Sequence, residues 1–143
     1  VSSALAGAVN VLATDYYAIA REYVKANAAQ NKVDDIVSCE NFDWASPETL
    51  GGSTFGVVLC ADVVYDADAP GILAPLLDRV VAPRGVVIFA DGADRPYKDV
   101  RIGKLLELLV ESGKFAVLHE RIDQVKLDVS KFLYKKERDM HLV

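Results

Sequence analysis

The sequence predicts an α/β fold: a mostly parallel sheet with helices on both faces and an antiparallel hairpin at the carboxyl terminus. Two short runs, Phe55 to Ala61 and Gly85 to Ala90, are almost continuously apolar, as expected of strands buried on both faces. Segments with apolar residues at helical spacing alternate with these strands, which is typical of a parallel sheet. Near the carboxyl terminus two strand-like runs follow each other directly, and this indicates an antiparallel hairpin.

Length and composition predict one globular domain over residues 1–143. Of the 143 residues, 52% are hydrophobic and 26% are charged, which is enough apolar material for a core. The net charge is −5, and this disfavours a nucleic-acid partner, because phosphate binding needs clustered Lys and Arg. No apolar run approaches the roughly 18 residues of a membrane span, so we expect no membrane partner.

The two cysteines, Cys39 and Cys60, predict neither a metal site nor a disulfide framework. They do not have metal-ligand spacing, and Cys60 lies in an apolar strand, where it is most simply a small buried hydrophobic residue. Cysteines of this kind favour a reducing compartment. We therefore expect a cytoplasmic protein without a metal ion.

The first half of the chain predicts two helical segments, two strands and a loop. In chain order these are the end of a helix at 2–8, a strand at 9–14, a helix at 17–31, a strand at 33–38 and a polar loop at 39–54. Gly7 ends the first helix, and the second is amphipathic. We expect Asn27 and Asn31 to have structural roles near its end.

The second half begins with the apolar strand at 55–61 and then alternates between helices and strands. In chain order we predict a helix from 68 to about 81, a turn at 82–85, a strand at 85–90, a helix at 99–112 and hairpin strands at 115–122 and 130–136. Asp68 and Pro70 are typical of the start of a helix. The leucine-rich stripes of both helices predict that each buries one face.

Acidic residues follow three of the predicted strands at the point where each strand ends. Asp15, Asp62 and Asp91 occupy these positions, and Tyr65 comes three residues after Asp62. Ligands of open α/β sheets bind outside the carboxyl ends of the strands, so these side chains are candidates for chemistry. The alternative is that Asp62 caps the next element and that Tyr65 packs its ring.

Four segments resemble the Rossmann-like, class I methyltransferases that depend on S-adenosylmethionine. The segments are VLATDYYAIAREYVKANAAQN, FDWA, FGVVLCADVVYD and KFLYKKE. More narrowly, the chain is similar to the seven-strand lysine methyltransferases that modify non-histone proteins. The Asp-Val-Val-Tyr run at positions 62–65 carries most of the specificity, because it matches the Asp-x-x-Tyr signature of that group.

The resemblance implies a binding site for S-adenosylmethionine. Asp15 would accept hydrogen bonds from the ribose hydroxyls, and Tyr16 belongs to the same group of cofactor contacts. Asp43 and Trp44 match the segment beside the adenine, and Ala61 would line the cofactor. The alternatives are a helix-capping role for Asp15 and ordinary core packing for Trp44.

The resemblance also implies that Asp62 and Tyr65 face the transferred methyl group and the incoming amine. A lysine nucleophile must first lose its proton, and its reference pKa is about 10.4. A narrow, partly apolar slot lowers that pKa by desolvation. Asp62 would orient the amine and Tyr65 would form one wall.

The glycine-rich G-x-G-x-G loop of this fold is absent from the sequence, and Gly51-Gly52 lies in the wrong place to replace it. We expect the chain to begin just after that motif. In the family's strand order, 3-2-1-4-5, the first strand lies between the strands at 9–14 and 55–61. We expect upstream residues to supply it, with an assembly partner or a degenerate domain as alternatives.

The implied function is methyl transfer from S-adenosylmethionine to a protein lysine, with a protein substrate as the partner. The alternative is an inactive methyltransferase-like domain that serves as an interaction module in a larger assembly. A nicotinamide-dependent oxidoreductase is disfavoured, because it explains neither the DVVY run nor the predicted hairpin.

Overall fold

The computed structural model describes residues 1–91 and 97–117, and in these ranges it is a mixed α/β structure. Its elements, in chain order, are α1 (Ser2–Leu5), β1 (Val11–Asp15), α2 (Ala18–Gln30), β2 (Val37–Asn41), a 3-10 helix (Pro47–Leu50), β3 (Phe55–Ala61), α3 (Ala69–Val80), β4 (Val81–Ala90) and α4 (Lys98–Glu111). The predicted α/β class with parallel strands and helices is confirmed.

The strongest sequence patterns produce elements with the expected bounds. β3 matches its predicted range, and α2, α3 and α4 begin and end within about one residue of theirs. α3 forms because its apolar stripe becomes core: Leu73 and Leu77 are buried, and Pro70 lies in its first turn, where no amide donor is needed. Asn31 donates from its side-chain amide to the carbonyl of Asn27 at the end of α2, as the structural interpretation predicted.

The bounds of the other elements were predicted less well. α1 ends at Leu5 rather than near residue 8, and β1 begins at Val11 rather than at residue 9. β2 begins at Val37 rather than at Val33, because Asp34 and Asp35 form a turn in which the Ile36 N–H donates to the Val33 carbonyl. The turn predicted at 82–85 lies inside β4, as an irregularity between two paired stretches.

The hairpin predicted at the carboxyl terminus is not established by the structure. Residues 115–117 have no strand conformation, and the rest of both predicted hairpin strands lies outside the described residues.

The strands form two parallel pairs within the described residues. β1 pairs with β2 from Val11 opposite Val37 to Asp15 opposite Asn41, and β3 pairs with β4. No ladder joins β1 to β3 in this part of the chain, so each keeps one edge without a strand partner there. The gap therefore lies where the family's strand order puts the first strand.

The larger core lies between β3, β4 and the helices α3 and α4. Leu77 and Leu105 are each 1% exposed at its centre, and Phe42, just after β2, joins the same cluster. A smaller cluster of Ala4, Ala28 and Val33 holds α1 and α2 near the start of β2. Phe42 therefore connects the β1–β2 pair to the core beneath the β3–β4 pair, at the carboxyl ends of the strands.

One face of the β3–β4 pair carries no helix among the described residues. Side chains alternate across a strand, and Val58 and Phe89 pack towards the core. On the other face Val57, Leu59 and Ile88 are 59%, 57% and 49% exposed. Among the described residues, α3 and α4 both pack on the core face of this pair, so helices on both faces stay a prediction. No helix in the described ranges is long and apolar enough to cross a membrane.

Candidate active site

A cavity of about 1030 Å³ runs along β1 and β3, between Val11 and Asp15 on one side and Phe55 and Ala61 on the other, and includes residues at the carboxyl ends of both strands. This volume exceeds the roughly 300–1,000 Å³ of small-molecule sites, because it includes the space between the facing edges of β1 and β3. The residues that sequence reasoning assigned to cofactor and catalysis all line it. They are Asp15, Tyr16, Asp43, Trp44, Ala61, Asp62 and Tyr65. The fold thus brings together segments that are up to 50 positions apart.

Asp15 is the last residue of β1, and it supports the turn into α2. Its Oδ1 accepts a hydrogen bond from the N–H of Tyr17 at 2.8 Å, which closes the turn before the helix. The N-cap of α2 is Tyr17 and receives no side-chain hydrogen bond, so the capping alternative for Asp15 was wrong. The bond from the Tyr17 N–H uses one carboxylate oxygen and leaves Oδ2 to accept from a ligand. Tyr16, the next residue, is 61% exposed and is accessible to anything bound in the cavity.

The sequence did not predict a role for Asn41, which hydrogen-bonds to the backbone at the end of β1. It lies opposite Asp15 in the parallel register. In the amide orientation that satisfies its hydrogen bonds, Nδ2 donates to the carbonyls of Asp15 at 3.1 Å and Tyr16 at 2.6 Å. The N–H of Phe42 donates to the Asp15 carbonyl at 3.0 Å as well. Asn41 therefore positions the two residues expected to contact a cofactor.

Asp43 and Trp44 form the wall of the cavity that follows β2. Asp43 Oδ1 accepts from the N–H of Ala45 at 2.9 Å, and this closed turn sets the direction of Trp44 between them. Trp44 packs against the main core and also lines the cavity, so the packing alternative and a ligand contact are compatible. Its ring centre lies 6.3 Å from that of Tyr65, with the planes tilted by 45°.

Asp62 has an unusual backbone conformation directly after β3. Its φ is +57°, in the left-handed region that non-glycine residues rarely adopt, while its N–H donates to the Ala90 carbonyl at 2.8 Å. Strained positions of this kind cluster at functional sites. Tyr65, three residues later, is 58% exposed, so its ring is available to a substrate.

The charge around the cavity is negative. Asp15, Asp43 and Asp62 line it, and no Lys or Arg is among the described lining residues. A surface of this sign attracts a cation such as a sulfonium or an ammonium group. Within residues 1–91 and 97–117, no cluster of His, Cys, Asp or Glu is arranged to hold a metal ion.

Cys60 also lines the cavity, but it is not a nucleophile at neutral pH. Burial raises the pKa of its thiol to about 11, so the reactive thiolate is scarce. Its burial in β3 confirms the prediction of a small hydrophobic residue.

A family model described as lysine methyltransferase matches residues 1–101 of the chain. The chain belongs to the lysine methyltransferase family. The matched range contains β1 to β4 and all the candidate site residues, so the family assignment and the cavity rest on the same part of the chain. Searches among curated proteins and among solved structures found no match.

Proposed function

We propose that the protein transfers a methyl group from S-adenosylmethionine to a lysine side chain of another protein. The observation that carries the proposal is the group of acidic cavity residues at the carboxyl ends of the strands, in a chain of the lysine methyltransferase family. Both the donor, a sulfonium, and the acceptor, an ammonium before it loses its proton, are cations that suit this charge.

The donor set of the cavity fits the adenosine part of that cofactor. The Oδ2 of Asp15, which its turn does not use, can accept a hydrogen bond from the hydroxyls of a vicinal diol. The Oδ2 of Asp43 can likewise accept a hydrogen bond from an amino group. Trp44 offers an aromatic face to a base, and Ala61 leaves room beside it. When bound, the cofactor supplies an electrophilic methyl group on a sulfonium sulfur.

Asp62 and Tyr65 would act on the acceptor side. The Asp62 carboxylate can accept a hydrogen bond from the incoming amine and orient its lone pair for an in-line displacement. Tyr65, with Trp44 beside it, would form an apolar wall that favours the neutral amine by desolvation. Neither residue needs to be a strong base, because positioning supplies much of the acceleration.

The test is methyl transfer to protein lysines. The protein is incubated with methyl-tritiated S-adenosylmethionine and a heat-treated cell extract as the source of acceptors, and methylated lysine is measured after hydrolysis. We expect the wild-type protein to form labelled methyl-lysine. Asp62→Asn should form at least about tenfold less of it, because the amine loses its orienting carboxylate. Asp34→Asn, which removes an exposed carboxylate from the turn before β2, is the control and should match the wild type. Absence of methyl-lysine in every reaction would refute the lysine assignment.

We also propose that, in the functional protein, one further parallel strand occupies the part of the cavity that runs along β1 and β3, and leaves the part at the carboxyl ends of the strands to the cofactor. Each of these strands has an edge without a strand partner in the described ranges, and buried backbone groups are costly when they are not paired. Such a strand would come from a segment beyond the described residues or from an assembly partner. No observation favours the non-catalytic alternative as a function of its own.

A further inference from the structure

Arg101 connects α4 to the loop that carries Tyr65. Its Nη1 donates to the carbonyl of Tyr65 at 2.5 Å and approaches the carbonyl of Val64 at 3.5 Å. Thirty-six positions separate Arg101 from Tyr65, so the contact depends on the tertiary fold. Hydrogen bonds from a charged donor are among the stronger ones in proteins. The loop after β3 is therefore held by a cation on another element.

The same guanidinium also contacts an aromatic ring at the start of α4. The Arg101 guanidinium carbon lies 5.9 Å from the ring centre of Tyr97, within the range of a cation–π contact. Tyr97 precedes α4 with a φ of +62°. The guanidinium of Arg101 thus contacts the Tyr97 ring at the start of α4 and donates a hydrogen bond to the backbone of the loop that carries Tyr65.

This arrangement extends to the wall of the cavity. Arg101 holds the backbone of Tyr65, and the ring centre of Tyr65 lies 6.3 Å from that of Trp44. Both residues line the cavity. We propose that Arg101 is a positioning residue that sets Tyr65 against Trp44 and so shapes the acceptor side of the site. The inference rests on the proposed methyl transfer, and Arg101 acts through Tyr65 rather than on the substrate.

Arginine suits this role better than lysine. The guanidinium is planar, carries several donors in fixed directions and stacks on rings, whereas a lysine ammonium is a flexible point charge. Arg101→Lys should therefore restore only part of the function.

The experiment compares Arg101→Gln, Arg101→Lys and the control Lys104→Gln. Lys104 lies about one turn further along α4, its ion pair with Glu107 at 2.8 Å is exposed, and neither residue lines the cavity. Steady-state kinetics measure kcat and KM for the protein acceptor, and calorimetry measures the Kd for S-adenosylmethionine. Emission of Trp44, the single tryptophan of the chain, measures the position of the wall without any need for turnover.

We expect Arg101→Gln to lower kcat/KM for the acceptor about tenfold, with a Kd for the cofactor within about twofold of the wild type. The kcat/KM of Arg101→Lys should lie between those of the wild type and Arg101→Gln, and the kcat/KM of Lys104→Gln should equal that of the wild type. The Trp44 emission should shift in Arg101→Gln and stay constant in Lys104→Gln. A common loss of acceptor and cofactor binding, or an equal loss in Lys104→Gln, would show a merely structural role.

The emission separates this inference from the proposed function. If no variant transfers a methyl group but the Trp44 emission still shifts in Arg101→Gln, the proposed function fails while the positioning by Arg101 stands. If methyl transfer is observed and the emission and acceptor kinetics of Arg101→Gln are unchanged, the inference about Arg101 is overturned. Should Arg101→Gln not fold, Arg101→Lys decides by the same two measurements.

Discussion

Three aspartates at or shortly after the ends of β1, β2 and β3 make a local hydrogen bond and also line the cavity. Asp15 and Asp43 each close a turn with one carboxylate oxygen, so their positions are fixed before any ligand arrives. Asp62 adopts a left-handed backbone while its N–H still bonds to β4. A site whose groups are already fixed loses less conformational entropy on binding.

Cys60 gives a prediction for the pH dependence of stability. Burial raises the pKa of its thiol from 9.0 to about 11, so the folded protein keeps this proton to higher pH than the unfolded chain. The resulting stabilisation is fully present below about pH 9 and is lost as the pH rises towards 11, by about 2 kcal/mol. Urea unfolding under reducing conditions at pH 8 and pH 11 measures it.

The comparison between variants isolates this thiol from the other groups that titrate at high pH. Cys60→Ala should lose less stability than the wild type between the two pH values, while Cys39→Ala, at a half-buried position, should behave nearly as the wild type does. An identical pH dependence in the wild type and Cys60→Ala would contradict the expectation.

At the scale of elements, the irregularity in β4 depends on Gly85. A Cβ at this position would lie 2.8 Å from both the Ala82 carbonyl oxygen and Val81 Cγ1, and 3.0 Å from the Phe55 carbonyl oxygen. Two of these three atoms belong to the backbone and cannot rotate away. We predict that Gly85→Ala lowers the free energy of unfolding by about 1–3 kcal/mol, measured by urea denaturation.

Gly56→Ala is the matched control for Gly85→Ala. Gly56 lies in β3 at the same irregularity, but nothing is within 4 Å of a Cβ placed there. Its replacement should leave stability unchanged or raise it slightly, because alanine loses less entropy than glycine on folding. Equal losses in the two variants would show that the irregularity does not depend on the absence of a side chain at position 85.

The elements also show what a single sequence can predict. β3, α3 and α4 were predicted because an apolar run or a leucine stripe determines them locally. β2 was placed four residues too early, because Val33 and Ile36 are apolar although Asp34 and Asp35 turn the chain. Asn41 and Arg101 were not predicted, since one depends on the register of two strands and the other on a contact across 36 positions.

For the whole molecule, the gap between β1 and β3 predicts a pattern of amide exchange. The N–H of Val11 donates to Ile36 and that of Asp62 donates to Ala90, and successive amides of a strand point to opposite edges. The amides of Leu12 and Leu59 must therefore point towards the gap. If a further strand fills it in the functional protein, these amides should exchange slowly in hydrogen–deuterium exchange.

The internal controls are the amides that point away from the gap, those of Ala13 and Cys60, which the described ladders already protect. Comparable protection of both sets would support the additional strand. Rapid exchange at Leu12 and Leu59, with protection at Ala13 and Cys60, would show that both edges remain open.

The most direct test of the proposed cofactor site is calorimetric titration of the protein with S-adenosylmethionine. We predict saturable binding at one site, weakened at least tenfold by Asp15→Asn, a loss on the order of 1.4 kcal/mol, because the variant keeps an oxygen for the Tyr17 N–H but loses the charged acceptor for the ribose. Asp34→Asn, which changes the same charge outside the cavity, should bind as the wild type does. Absence of binding by the wild-type protein, or equal affinity in Asp15→Asn, would contradict the assignment of this cavity as the cofactor site.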